Sequence, residues 1–564
     1  MADAPAAPPD LLTAHAAARP DKVALIEDAP GAPVAAWTFV ELEAWANRFA
    51  AAVRSLGIGA GERVVWCGPN SASVIALVHG CRKAGVTAVP LNYRLTVDEA
   101  GYVLDNCDAV AAWVDAEYAP LIVGARGAAP GLRTVISYRG TAAGCDDGDA
   151  LVAGCDDGPA VAGAAGDGPA VAGAVGAPTA GAVGAPGSAQ AGTVGSPGGT
   201  VVPGSGATPG GTMIYTSGTT GRPKGAVRAA TGDPAQVRSL VDLIGYTPED
   251  VYLTTGPLYH SGPGGFAAIA AALGNTVVVQ RRFDPEDWLR LVDAHRVTTT
   301  FSAPTPIRMV CALDAEARGR YDTSSMRRMI ANAAPWSMAL KRQYLTSFPP
   351  DSLWEVYGST ELGVDTVLAP SDHLRKPGSC GLAAPGVEIR LLDDDGAEVT
   401  EPGAPGELFV RSASMFRTYH KAADKYDEDR RGDFQTVGDI AYRDADGYFY
   451  ICDRKKDMII SGGMNIYPAE IEAALEAHPD IYEAAAFGVP SEEWGEAVHA
   501  VVVLRPGASL DAAGVSAFAR EHLAGYKVPR SVSFTDELPK TGSGKVLKRV
   551  LREPFWAGRS SQVG

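Results

Sequence analysis

Tyr215-Thr216-Ser217-Gly218-Thr219-Thr220-Gly221-Arg222-Pro223-Lys224-Gly225 is the stretch on which the reading of this chain turns. A short, mostly apolar run from Thr212 leads into it, and the pattern then changes to hydroxyls and glycines closed by one lysine. Small residues let backbone N–H groups curl around phosphate oxygens without Cβ clashes. The hydroxyls of Thr216, Ser217, Thr219 and Thr220 add donors beside Gly218, and Lys224 adds a cation. It is not a Walker A loop, because the Gly-Lys-Ser/Thr ending is missing. A flexible surface loop would be the plainer reading of a shorter match. Over eleven residues a nucleotide-phosphate loop is the better account.

The flanks supply the fold expectation. Thr38 is placed to cap a helix carrying Leu42, Trp45, Phe49 and Val53 at helical spacing. Strands are expected at Arg63–Cys67 and Val86–Pro90, with a helix at Val74–Arg82 between them. That rhythm implies parallel sheet. It resumes after the loop, with strands expected at Thr276–Gln280, Val297–Phe301, Val387–Leu392 and Glu407–Arg411. Residues 141–210 break it. They hold no Lys, Arg or aromatic residue, and Asp157–Ala164 recurs as Asp167–Ala174. Such a Gly/Ala/Pro-rich segment buries too little apolar surface to offset its ordering entropy, so it reads as a disordered insertion. After about residue 456 a compact unit follows, with helices expected at Pro468–Ala477 and Asp511–Leu523 and strands near Ala484–Val489 and Ala500–Leu504.

Bulk properties set limits. A chain of 564 residues is long enough for several domains, and 46% apolar content is ample for a core. The net charge of −17 disfavours nucleic acid as a general partner. The eight cysteines form no C-x-x-C pair and no zinc spacing, which reads as free thiols in a reducing cytoplasm. The N-terminus lacks the pattern of a signal peptide, and no apolar run reaches the length of a membrane span.

Further polar motifs follow the loop in order: Pro257-Leu258-Tyr259-His260-Ser261-Gly262, Asn332-Ala333-Ala334-Pro335, Tyr357-Gly358-Ser359-Thr360-Glu361, Thr436-Val437-Gly438-Asp439, Asp453-Arg454-Lys455-Lys456-Asp457, Ser461-Gly462-Gly463-Met464-Asn465-Ile466-Tyr467-Pro468 and Pro539-Lys540-Thr541-Gly542-Ser543-Gly544-Lys545. Their order resembles the adenylate-forming superfamily, near its acyl- and aryl-CoA synthetases. The resemblance covers the chain except 141–210 and includes Lys83-Ala84-Gly85 and Pro90-Leu91-Asn92.

The resemblance implies an α/β fold. A large N-terminal domain of parallel-rich sheets and helices (residues 1–455) would precede a small mobile C-terminal α+β domain (456–564). It implies ATP-dependent activation of a carboxylic acid as an acyl-adenylate, followed by transfer to the thiol of CoA. Mg²⁺ would be held by Glu361, with Thr360 on the α-phosphate. Ala333, Ala334, Pro335, Tyr357, Gly358 and Ser359 would surround adenine, Asp439 would grip the ribose diol and Arg454 would contact ribose or phosphate. Lys456 would be the hinge, Gly462 and Gly463 would line the thiol tunnel, and Lys545 would be the catalytic lysine, with Lys540 a decoy. His260, Ser261, Trp336 and Trp354 would line the acid pocket, and two tryptophans suit a short or flat acid. Val437 departs from the threonine usual before Gly-Asp. Three alternatives stay open: nitrite as the acid, an amine or carrier protein as the acceptor, or a nucleotide-binding scaffold without catalysis. A homodimer is also left open.

Overall fold

The computed structural model describes residues 10–158, 212–216, 223–228, 234–540 and 545–557. They fall into two compact units: residues 1–301, 320–325 and 416–423, and residues 302–319, 326–415 and 424–564. The architecture is mixed α/β, with parallel-rich sheets in the large N-terminal part and a small α+β domain at the C-terminus.

In the first unit one sheet is all parallel, in the order Thr87–Leu91, Arg63–Cys67, Ala109–Asp115, Thr134–Tyr138, Asp146–Asp147. The connecting segments follow local chemistry. Thr38 and Glu41 form a reciprocal capping box that starts the Phe39–Ser55 helix, whose Leu42, Phe49 and Val53 are buried. The Ala72–Lys83 helix packs against it so closely that a Cβ on Gly80 would stand 2.4 Å from Phe49 Cβ. A second run of strands, Thr299–Ser302, Val251–Leu253, Thr276–Val279 and Val23–Glu27, is parallel, with Ala35–Thr38 antiparallel at its edge. Thr212–Thr216 and Lys224–Arg228 form an antiparallel pair extended by Thr418–Tyr419.

The expected disordered insertion starts too early. Residues 141–158 are folded: Asp147 caps a helix over Gly148–Ala153, Val152 is buried, and Gly148 sits against the Ser137 carbonyl and Trp113. One capped turn and one apolar anchor suffice to order a segment whose composition is otherwise that of a linker. The remainder of that expectation, from residue 159, lies outside the described residues.

In the second unit, Arg328–Ala331 and Leu353–Ser359 pair in parallel, and Leu353–Ser359 turns back antiparallel through residues 360–362 into Gly363–Leu368. An antiparallel sheet includes Glu388–Leu392, Gly406–Arg411, Asp439–Arg443 and Phe449–Arg454. The C-terminal sheet runs Met464–Ile466, Ile459–Ser461, Gly495–Leu504, Ile481–Ser491, with Ser531–Phe534 beside Gly495–Leu504. Helices Pro468–Glu476 and Ala512–His522 add Ile471, Leu475, Val515 and Ala519 to a core with Ile459, Ile466, Val498 and Val502. Among the described residues no helix is long and apolar enough to cross a membrane.

Candidate functional site

The polar residues of the second unit gather at the ends of its strands. The Leu353–Ser359 strand delivers Tyr357, Gly358 and Ser359 in sequence, then Thr360 and Glu361 in the turn. Only glycine fits at 358, because a Cβ there would stand 1.9 Å from the Gly363 carbonyl oxygen. Ser359 Oγ accepts the Leu362 N–H at 3.0 Å and closes the turn. Beside it, Asp439 opens one strand and Arg454 ends its antiparallel neighbour, so the two are cross-strand partners. The Tyr357 hydroxyl donates to Asp439 Oδ2 at 2.5 Å, and Arg454 Nε stands 3.3 Å from Oδ1. Both carboxylate oxygens therefore already face a donor. Burial, with the nearby Asp439 and Asp365 charges, raises the Tyr357 pKa well above the ordinary tyrosine value, so this phenol stays a donor.

Lys545 joins this cluster. Its loop is closed at the base: the Leu547 N–H donates to the Pro539 carbonyl at 2.7 Å, and Lys540 and Val546 form an antiparallel bridge. The protein crowded around the Lys545 ammonium lowers its pKa from the ordinary lysine value although the residue keeps surface open to solvent. Arg454 adds to that depression, and the charges of Asp439 and Glu361 oppose it. Four expected site residues, spread over almost two hundred positions of sequence, thus share one electrostatic neighbourhood.

Asn332-Ala333-Ala334-Pro335 lies just beyond the Arg328–Ala331 strand. Asn332 Nδ2 donates to the Val356 carbonyl at 2.6 Å and its backbone N–H to the Ser302 carbonyl at 3.2 Å, so the segment is pinned on two sides. Ala333 adopts φ +72°, in the left-handed region. Trp336 is buried with its ring edge-on to Tyr344, and Trp354 is half-buried in register with Ile330. Gly462 and Gly463 adopt φ +57° and +79° in the hairpin between Ile459–Ser461 and Met464–Ile466, a turn that asks for positive φ twice. The Gly462 N–H donates to the Trp494 carbonyl at 2.8 Å. Lys456 sits in the turn after the Phe449–Arg454 strand, where surrounding protein and Arg454 bring its pKa down to about 8.

In the first unit, Thr216 and Lys224 pair across the hairpin that holds the phosphate-loop sequence. Lys224 Nζ stands 4.9 Å over the Tyr419 ring, an attraction that fixes the long side chain without neutralising it. Ser217, Gly218, Thr219 and Thr220 lie outside the described residues. His260 holds the N-cap position of the Ser261–Ala272 helix, its ring 4.4 Å from Tyr259, and Ser261 is the first helical residue.

Residues 12–420 match the model of the AMP-binding enzyme family, and residues 470–545 match that of the AMP-binding enzyme C-terminal domain. The chain belongs to the AMP-binding enzymes. Over 526 residues this AMP-binding enzyme is 33% identical to a feruloyl-CoA synthase of an Amycolatopsis species, covering 92% of this chain and 94% of that one. It is 31% identical over 544 residues to an indoleacetate–CoA ligase of Aromatoleum aromaticum, covering 96% of each. The ATP-bound structure of MatB from Rhodopseudomonas palustris superposes with a TM-score of 0.79 at 27% identity, over 97% of this chain and 99% of that one.

The donor set of this AMP-binding enzyme also bears on a metal. Among the described residues no group of three His, Cys, Asp or Glu side chains could hold one. A lone carboxylate such as Glu361 fits Mg²⁺, which keeps several waters and takes most other ligands from substrate phosphates. Two charged residues linked to the base of the Lys545 loop carry no role in the sequence expectations. Arg308 carries no motif, and Lys540 reads as a spare cation.

Proposed function

We propose that this enzyme activates a carboxylic acid with ATP as an acyl-adenylate and transfers the acyl group to the thiol of CoA. The observation that carries the reading is the gathering of Lys545 with Glu361, Asp439 and Arg454. In the first half-reaction a carboxylate oxygen attacks the α-phosphorus of ATP, and the bond to pyrophosphate breaks. Lys224 and the 216–225 loop would hold the phosphates, and Asp439 would take the ribose diol, with Arg454 beside it. Lys545 would bridge the acid and the α-phosphate, where charge develops. Glu361 would support Mg²⁺, which supplies charge neutralisation on the phosphates. In the second half-reaction the thiol sulfur attacks the adenylate carbonyl and AMP leaves. For this step the small domain turns about Lys456, withdrawing Lys545 and presenting the Gly462–Gly463 hairpin.

We assign the acid to the flat aromatic class. Trp336 and Trp354 near the Ala333–Pro335 segment support this, as do the aromatic acids in the names of the two relatives. The free cysteines support a cytoplasmic setting. Mass spectrometry of enzyme, Mg²⁺-ATP and an acid panel including ferulate, indoleacetate and nitrite, with and without CoA and aryl amines, tests the reading. AMP together with one aryl-CoA is the expected result. AMP without a thioester, rising with an amine, would overturn the acceptor. No AMP with any acid would overturn the enzyme reading.

A further inference from the structure

Four charged side chains on separate elements form a connected set that reaches Lys540, at the base of the Lys545 loop. Arg308 lies on the Pro304–Ala312 helix, within the part of the chain that matches the AMP-binding model. Its guanidinium stands 3.6 Å from Glu476 and 3.7 Å from Glu483, both in the part that matches the C-terminal domain model. It also donates to the Tyr482 carbonyl at 3.1 Å and lies over the Tyr482 ring at 5.4 Å. Glu483 takes a second cation on its other oxygen: Lys540 Nζ is 2.8 Å from Oε2. These side chains are only 10–18% exposed. Charge pairs so far out of water are screened less than a bridge on an open surface.

The chain of contacts continues to the lysine. Lys540 bridges Val546 across the base of the loop, and the Leu547 N–H closes it onto Pro539. Leu538, Val546 and Leu551 pack on Phe487 and Val501. From Arg308 the line runs through Glu483 and Lys540 to Val546, the residue after Lys545. It ties a helix of the AMP-binding part to the loop that carries the ammonium.

We propose that Arg308 and Lys540 are positioning residues that hold Lys545 in place for adenylate formation, and that the contacts of Arg308 with Glu476 and Glu483 part for transfer to the thiol. The inference rests on the reading that Lys545 serves the first half-reaction alone. Arg308 touches neither reacting atom. Its effect passes through Glu483 and the loop, so its loss should separate the two half-reactions, which a purely structural residue would not do.

The test compares the wild type with Arg308→Ala, Arg308→Lys and Lys540→Gln. Acid-dependent ATP–pyrophosphate exchange reads the first step, and conversion of preformed aryl-adenylate plus CoA reads the second. Hydrogen exchange at the Leu547 amide reads the loop without any substrate. Arg308→Ala and Lys540→Gln are expected to lose about 10- to 100-fold in pyrophosphate exchange. Thiol transfer should stay near wild type, and the Leu547 amide should exchange about tenfold faster. Arg308→Lys, which keeps the charge, should recover part of the first step and guards against a variant that fails to fold. Equal loss in both half-reactions, or unchanged protection at Leu547, overturns the proposal. If the wild type forms no adenylate with any acid, the functional reading falls, and exchange at Leu547 alone then decides whether the tether exists.

Discussion

At the start of the Leu353–Ser359 strand, Glu355 meets the ammonium of Lys341, which is 2% exposed, and His373 lies buried beside them. In the turn at the other end of the same strand, Glu361 shares a neighbourhood with Lys545, Asp439 and Arg454. Both places bring a lysine and a carboxylate together inside protein. At the first, one cation is matched to one anion within the core. At the second, Asp439 is already occupied by Tyr357 and Arg454, and Lys545 stays open to solvent while the surroundings weaken its hold on a proton. Matched charge in the core serves the fold. Charge that is crowded yet reached by solvent is the arrangement on which the proposed adenylation chemistry rests.

The sharpest way to break this contrast is at its structural end. Lys341→Met leaves Glu355 buried without its cation and should cost about 3–5 kcal/mol of stability, while Lys341→Met/Glu355→Leu should recover most of it. Denaturant unfolding reads both, and a mild single variant would mean the pair is not the anchor described. Next in size, Lys545→Ala should lower acid-dependent pyrophosphate exchange by about 10²–10³-fold while leaving transfer from preformed adenylate intact. Equal loss of the two would remove Lys545 from its role. Tyr357→Phe deletes a hydrogen bond to the Asp439 carboxylate and should reduce kcat/KM for ATP about tenfold, an effect of about 1.5 kcal/mol at the low end for a charged acceptor. Steady-state kinetics with unchanged unfolding would place that loss in binding.

The smallest effect concerns pH. Burial, with the Lys341 charge adding to it, presses the His373 pKa down to about 4. A base whose folded pKa is depressed favours the folded state while neutral. That contribution is present above the unfolded value near 6.5 and is lost as pH falls from there through about 4. His373→Gln should remove about one proton from the slope of unfolding free energy in that window. An unchanged slope would show that His373 already carries its proton in the fold.

How much was legible beforehand follows the range of each interaction. The Thr38 cap and the alternation of strands and helices are local and follow from sequence, although Glu41 completes the cap unannounced and the strand expected at Ala500–Leu504 begins at Gly495. The expected strand at 297–301 begins instead at Thr299, because Val297 belongs to the buried turn before it. Lys545, Glu361, Asp439 and Arg454 were nameable because each sits in its own short motif, although nothing local says that they meet. Arg308 and Glu483 belong to no motif and lie far apart in sequence, so only the folded chain reveals the contact. Lys540 does sit in a motif, yet it reads as a decoy because its partner Glu483 lies far away in sequence. Residues 141–158 misled in the opposite direction, since composition averaged over a long window hid one capped turn.

Ala333 gives a last lesson, in the language of sequence choice. An alanine at φ +72° occupies a conformation that glycine enters freely and that costs an L-residue about 1–2 kcal/mol. Ala333→Gly would relieve the strain but hand the unfolded chain new freedom and loosen the segment between Asn332 and Pro335. A methyl group retained in that conformation marks a position where a variant library would find relief of local strain and order of the segment pulling in opposite directions.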